Sequence, residues 1–259
     1  MKTKSSIKWL LPALFLFCGL KANAQFDLGV RGGVSIPNLT AGSGRSENPL
    51  NSGYSSRQGP DFGILGEYHI SKLFSIEAMV SYSAQGGKKN GFQALPSENF
   101  APMAPPGIPL PTYLYADYKS EARLNYLMVP ILAKFGWNLG PKSPLRLYID
   151  AGPFFGFLLH AKQVTSGSSI IYLDEGKQQP VTPGPVSLDA VTNITNQLHT
   201  FNVGVSGNLG LAFQFGRNQI FIEGGGNFGF LNIQKGTANG KNNTGAATAS
   251  LGYAFRICK

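Results

Sequence analysis

Ionisable residues recur at every second position in several apolar stretches, and this spacing is where chemistry would be sought first. Asp27 and Arg31 share one stretch, Glu67 falls in a second, and Glu77 stands in a third. Glu121, Arg123 and Lys134 fall in a fourth, Arg146 and Asp150 in a fifth, and Glu223 and Arg256 in two more near the end of the chain. A period of two places such residues on one face of a β-strand, so acids and bases from different strands can meet on a shared surface. Away from water an unpaired charge costs several kcal/mol. The eleven acids and bases are therefore expected to fill an interior as a salt-bridged network, with a narrow ion pathway as the alternative.

The histidines invite a second chemistry. His160 and His199 flank a stretch containing Asp174, Glu175 and Asp189, while His69 stands apart near a short turn. Hydrolysis needs a nucleophile and a base within about 3 Å, and no spacing in the chain supplies that pair. Gly86, Gly87, Lys88 lacks the earlier glycine and the following hydroxyl of a phosphate-binding loop, and Gly176, Lys177 runs into Gln178. The run Gly224, Gly225, Gly226 lies inside an alternating stretch, where close packing explains it. Of the cysteines, Cys258 is a lone thiol without metal-site spacing. The reading is of a protein with no catalytic residues, no cofactor and no metal.

These residues need elements to hold them. Over Leu198–Phe215 apolar and small polar residues alternate without a break. At about 3.3 Å per residue such a run spans roughly 50 Å, far beyond the five or six residues usual for a soluble strand. Tilted by about 40°, it crosses a bilayer core of about 30 Å. The polar set, Asn208 included, then faces a lumen and is expected to tolerate small polar exchanges such as Asn208→Ser. Lipid leaves an unpaired strand edge unsatisfied, so the sheet has to close.

Seven further stretches alternate in the same way. They cover Phe26–Ile36, Asp61–Ile70, Phe74–Gln85, Glu121–Phe135, Leu145–Leu159, a strand containing Ile220 to Phe230, and a last one from about Ala247 to Ile257. In the fourth, Ala122, Leu124, Tyr126 and Met128 are assigned to lipid, and Pro130 is read as a bulge that shifts the phase so that Lys134 stays inside. Connections alternate between long and short. The long ones are 38–59, 86–118 with its many prolines, 160–197 and 234–244. The expected fold is all-β: an eight-stranded antiparallel up-and-down transmembrane β-barrel, with short periplasmic turns, long external loops and both termini in the periplasm. Eight strands leave room only for side chains, whereas a water-filled pore needs about twice as many.

Lys2, Lys4 and Lys8 precede an apolar run from Trp9 to Leu20, and Ala22, Asn23, Ala24 close it with small residues. Residues 1–24 read as a cleavable secretory signal and 25–259 as the barrel domain. Without Lys2, Lys4, Lys8 and Lys21, the 22 basic residues fall to 18 against 13 acidic ones, a net +5 instead of +9. That dispersed excess gives little support to nucleic-acid binding. Ser250, Gly252, Phe255 and Ile257 in the final strand have the spacing of the insertion signal that the barrel-assembly machinery reads.

Leu124, Asn125, Tyr126, Leu127, Met128, Val129, Pro130, Ile131, Leu132 resembles the "LxYLxIPLLL" strand of the PorT-like family of outer-membrane β-barrel proteins. Ala151 to Leu159, AGPFFGFLL, is similar to that family's "AGPYFGYLL" strand, and Gly29–Gly33 and Gly229–Ile233 resemble its first strand and its "GLTNI" segment. The resemblance covers nearly all of the chain after the signal. It implies an eight-stranded barrel in the bacterial outer membrane, and a few members assist a Gram-negative protein-secretion system. The family often carries an arginine two residues after the seventh-strand glutamate. Here Gly225 follows Glu223, so its cation is expected elsewhere, with Arg146 and Arg256 as candidates. The partners implied are outer-membrane lipids, the assembly machinery during insertion, and envelope or secretion-system proteins.

Overall fold

In a computed structural model, which describes residues 25–41, 49–50, 53–98, 100, 111–236 and 240–258, the chain is a ring of long antiparallel strands. The expected signal peptide and the prolines Pro102, Pro105, Pro106 and Pro109 lie outside the described residues. The wall consists of β1 (Gln25–Ala41), β2 (Gly59–His69), β3 (Phe74–Pro96), β4 (Tyr113–Asn138) and β5 (Leu145–Ser166). Short strands β6 (Ser168–Ser169), β7 (Val186–Ser187) and β8 (Ala190–Asn193) then intervene before β9 (Phe201–Phe215), β10 (Asn218–Gly229) and β11 (Asn242–Cys258) complete it. Each wall strand pairs with its sequence neighbour in the wall, β5 pairs with β9, and β1 with β11 closes the ring at eight strands.

Alternation sets the two faces. In β9 the odd-numbered Phe201, Val205, Leu209 and Phe213 are exposed, and Asn202, Asn208 and Ala212 are buried. The other seven wall strands repeat this, with Val30, Ile64, Val80, Phe135, Ile149, Ile222 and Leu251 outward. A continuous apolar belt of this size would be insoluble bare, and lipid is the medium that covers it. At one end the connections are tight. The Ser71 hydroxyl accepts the N–H groups of Leu73 (3.2 Å) and Phe74 (3.0 Å), an efficient way to close a short turn. Gly216, at φ +64°, opens a two-residue turn between Phe215 and Asn218, a backbone angle that glycine adopts without strain.

The fourth strand departs from the sequence reading. No phase shift occurs at Pro130: Ala122, Leu124, Tyr126, Met128, Pro130, Leu132 and Lys134 are all buried inside, and Leu127, Val129, Ile131, Phe135 and Trp137 form the outer set. Here both faces are apolar, so alternation alone could not choose between them. The lumen at this height holds hydrocarbon, and Glu121, Arg123 and Asn125 are free to face outward because they lie above the lipid belt. The register shift sits instead between Asn125 and Tyr126 on the ladder with β5, opposite Leu159.

Strands also run further than expected. β3 and β4 continue as a hairpin to the pair Pro96↔Tyr113, and β5 extends to Ser166, into stretches read as loop. From Asn125 to Tyr113 the hairpin projects about 40 Å along the strand at 3.3 Å per residue. Leu95, Leu114, Ala116 and Tyr118 on its inner face pack against Ile171 in the following connection, making a small core outside the belt. Prolines still punctuate the region, but at the hairpin's end, where Pro96 closes the ladder.

Inside the barrel, rings from one strand lie over glycines of the next. A Cβ on Gly210 would sit 2.1 Å from Tyr148 Cζ, and one on Gly252 2.0 Å from Phe221 Cζ. Gly210→Ala is therefore expected to displace the Tyr148 ring and lower stability by about 1–3 kcal/mol, read from urea unfolding of the refolded barrel. A change under a few tenths would mean the ring moves aside freely.

Candidate functional site

The lumen is filled in two layers. Towards the short turns it is ionic. Lys134 is buried and bridges Glu67 (3.2 Å) and Glu77, with its ammonium 4.4 Å above the Tyr148 ring. Glu67 also accepts from the Ser75 hydroxyl at 2.6 Å. Glu223 accepts from Arg31, from the Tyr148 hydroxyl (2.9 Å) and from Ser250 (3.1 Å), and Arg31 donates onward to Asp61 at 3.1 Å. Asp27 takes both Arg256 (2.8 and 3.1 Å) and His69 Nε2 (2.9 Å). Asn208 Nδ2 donates to Asp150 at 2.8 Å. Above this layer Leu39, Leu124, Tyr126, Met128, Phe154, Leu158, Leu198 and Ile233 form an apolar plug.

Nine of the eleven predicted lumen charges are inside: Asp27, Arg31, Glu67, Glu77, Lys134, Arg146, Asp150, Glu223 and Arg256. Two are not. Glu121 and Arg123 belong to the outer set of β4, beyond the belt, where Glu121 receives Arg57 Nε and Arg123 Nη2, each at 2.7 Å. Burial works against the Glu121 carboxylate, but the hydrogen bonds from Arg123 and Arg57 outweigh it and hold its carboxyl below the usual range. The cation for Glu223 is Arg31, not Arg146 or Arg256. Arg146 packs over Gly136, and Arg256 serves Asp27. The sequence reading missed Asp61 and His69 as members of the network, although both stand on the inward alternation of β2 with Glu67.

Asp27, Glu67 and His69 lie close enough together to hold a metal ion. His69 is placed between the two carboxylates, 2.9 Å from Asp27 and 3.5 Å from Glu67 through its second nitrogen. Arg256 and Lys134 already neutralise those acids, so another cation would meet two like charges. The arrangement is that of an ion-paired cluster.

At the rim, His160 and His199 are both exposed, and among the described residues neither side chain makes a hydrogen bond or ion pair. The acids near them serve the backbone: Asp174 accepts from Gln178 and Gln179, and Asp189 from Gly167. Lys89, further up the hairpin, donates to the Leu50 carbonyl at 2.7 Å and faces the Tyr54 ring at 4.6 Å; burial pushes its ammonium down to about 8. Ser250 and Gly252 face the lumen, and Phe255 and Ile257 face outward.

A closed ring of eight strands with an apolar exterior and a charged, filled interior defines a small membrane β-barrel. The family comparison agrees: residues 21–235 match the model of the outer membrane protein beta-barrel domain, and the chain belongs to that family, whose proteins reside in the bacterial outer membrane. Similar solved structures include Neisserial surface protein A, at 13% identity and a TM-score of 0.36 over 89% of this chain and 97% of that one. Ail, the attachment invasion locus protein of Yersinia pestis, matches at 12% and 0.38 over 88% and 98%. OprG from Pseudomonas aeruginosa matches at 10% and 0.38 over 90% and 96%. A comparison with curated proteins gives no match.

Proposed function

We propose that this is a non-enzymatic outer-membrane protein that conducts nothing and acts by presenting the β3–β4 hairpin and the connection packed on it to partners. The observation that supports this best is the lumen: an ionic layer crossing it from Arg31 to Lys134 lies beneath an apolar plug. Seven of the nine lumen charges are committed to ion pairs, Asp150 takes the Asn208 amide, and hydrocarbon lies above them, an arrangement that leaves no continuous wet path. The long connections face outward and both termini lie in the periplasm, in keeping with the asymmetry of turn lengths. Ser250, Gly252, Phe255 and Ile257 act as the signal for the barrel-assembly machinery.

A finer assignment, to the PorT-like group and to assistance of protein secretion, draws support from two adjoining strands. The LNYLMVPIL and AGPFFGFLL segments are direct neighbours in the wall, with Met128 opposite Gly156 and Pro130 opposite Phe154. They form one continuous patch.

Purified protein in a planar bilayer is expected to give no stable single-channel steps, and regular steps would overturn the closed-lumen reading in favour of a pore. Orientation is read separately. In a Cys258→Ser background, a cysteine replacing the exposed Val191 of β8 should react with a membrane-impermeant maleimide in intact cells, and labelling only after lysis would reverse the orientation.

A further inference from the structure

Above the apolar belt the outer face of β3, β4 and β5 becomes cationic. Lys88, Lys119, Arg123 and Lys162 alternate with the buried Lys89, Ser120, Ala122 and Ala161, so all four point outward. The register sets Arg123 opposite Lys162 and Lys88 opposite Glu121. Arg57 reaches the same place through Glu121. Five cations thus gather around one carboxylate, and that carboxylate is already held by two of them. The next acid on this face, Asp117, stands two residues beyond Lys119. Among the described residues Lys88, Lys119 and Lys162 make no ion pair. Like charges directly opposite on a ladder destabilise it, so the Arg123–Lys162 pair calls for an anion between them.

The height of the patch says what the anion belongs to. The unbroken run of outward apolar residues stops at Leu127 on β4 and Leu159 on β5, where Asn125 and His160 follow. Arg123 and Lys162 lie four and three residues further on, about 8–10 Å above the belt at 3.3 Å per residue and a tilt of about 40°. The headgroup layer is roughly 5–7 Å deep on each side of the hydrocarbon. Lys162, which makes no ion pair among the described residues, is long enough to bend towards it, while Arg123 is turned to Glu121 on the side away from the belt. A soluble anion would not need a site flush with lipid; a phosphate carried on a lipid would. We propose that this face binds a phosphorylated glycolipid of the outer leaflet, its phosphate between Arg123 and Lys162, flanked by Lys88 and Lys119, and its acyl chains against Leu127, Val129 and Phe157. The guanidinium fork suits phosphate oxygens, and the lysines add charge. The proposal rests on the outward orientation of the long connections given above.

The test uses full-length mature protein refolded into phosphatidylcholine vesicles containing bisphosphorylated lipid A, its dephosphorylated form, or phosphatidylglycerol, with retained lipid measured by native mass spectrometry after gentle extraction. Wild type is expected to retain lipid A at least tenfold more than either other lipid. Arg123→Gln with Lys162→Gln should lose that preference, while the exchange Arg123→Lys with Lys162→Arg and the control Lys142→Gln, at the opposite end, should keep it. Equal retention of dephosphorylated lipid A, equal retention of phosphatidylglycerol, or an unaffected double variant would each overturn the proposal. Vesicle retention does not depend on which way the protein faces in the cell. Failure of Val191→Cys labelling with retention intact would therefore overturn the orientation, and with it the outer leaflet as the source of the lipid, but not the selectivity of the site for a phosphorylated glycolipid.

Discussion

Lys134→Met is expected to remove about 3–5 kcal/mol of stability, the usual consequence of taking one partner from a buried ion cluster. Glu67 and Glu77 are directly opposite each other on the β2–β3 ladder, where like charges repel, and Lys134 from β4 contacts both. A methionine fills the volume but leaves two buried carboxylates facing each other. The companion Glu77→Gln removes the repulsion, so the double variant should recover at least half of the loss, although Glu77→Gln alone changes little while Glu67 keeps the ammonium. Urea titration of the refolded barrel, read from Trp137, the one tryptophan after residue 24, gives all four corners of the cycle. A loss under about 1 kcal/mol from the single variant, or no recovery in the double, would show that the lysine is not the centre of the network.

That cluster shows what a sequence can and cannot reveal in a barrel. Alternation puts Glu67, Glu77 and Lys134 on inward faces, but it contains no information on which strands stand side by side across the lumen or how far each is staggered. The partner of Glu223 depends on that stagger: β1 and β10 are both neighbours of β11, and the register brings Arg31 level with Gly252 and Glu223 with Ser250. Arg31 therefore reaches Glu223 across one intervening strand, while Arg256 is near the turns with Asp27. Asn208 teaches the same lesson. As a polar lumen residue it appears indifferent to Asn208→Ser, but its amide is the donor to Asp150, and leaving that carboxylate short of a partner costs about 1–3 kcal/mol.

The rule that outward means apolar holds only within hydrocarbon, and the fourth strand crosses its limit. Below Asn125 the outer residues are Leu127, Val129 and Ile131; above it they are Arg123, Glu121 and Lys119. A reading that seeks one apolar face along the whole strand selects Leu124, Tyr126 and Met128, which instead fill the plug. The extended hairpin escaped notice for a related reason. Its outer face mixes charges with the Phe92–Tyr115 stack, and its inner face is covered by a connection distant in sequence, through Ile171 and its neighbours. Nothing local distinguishes such a strand from a loop.

The same limit in depth makes the fate of a new arginine a measure of where lipid lies. Leu209, 57% exposed, stands mid-way along β9 between Ile149 and Gly224 on the adjoining strands. Neither neighbour can pair with a cation, and the site is too far from either end for the side chain to bend into water. Leu209→Arg is expected to cost about 2–4 kcal/mol in a bilayer. Phe215→Arg, on the same face at the turn, should cost about 1 kcal/mol or less, because the guanidinium there reaches the headgroups. Native Arg123 stands on the outer face near the opposite end of the wall, where it pairs with Glu121. Refolding both variants into phosphatidylcholine vesicles and comparing their urea midpoints separates the depths. If the two arginines cost the same, the mid-strand site is not in hydrocarbon, and the wall is not standing across a membrane in the way its exposed side chains require.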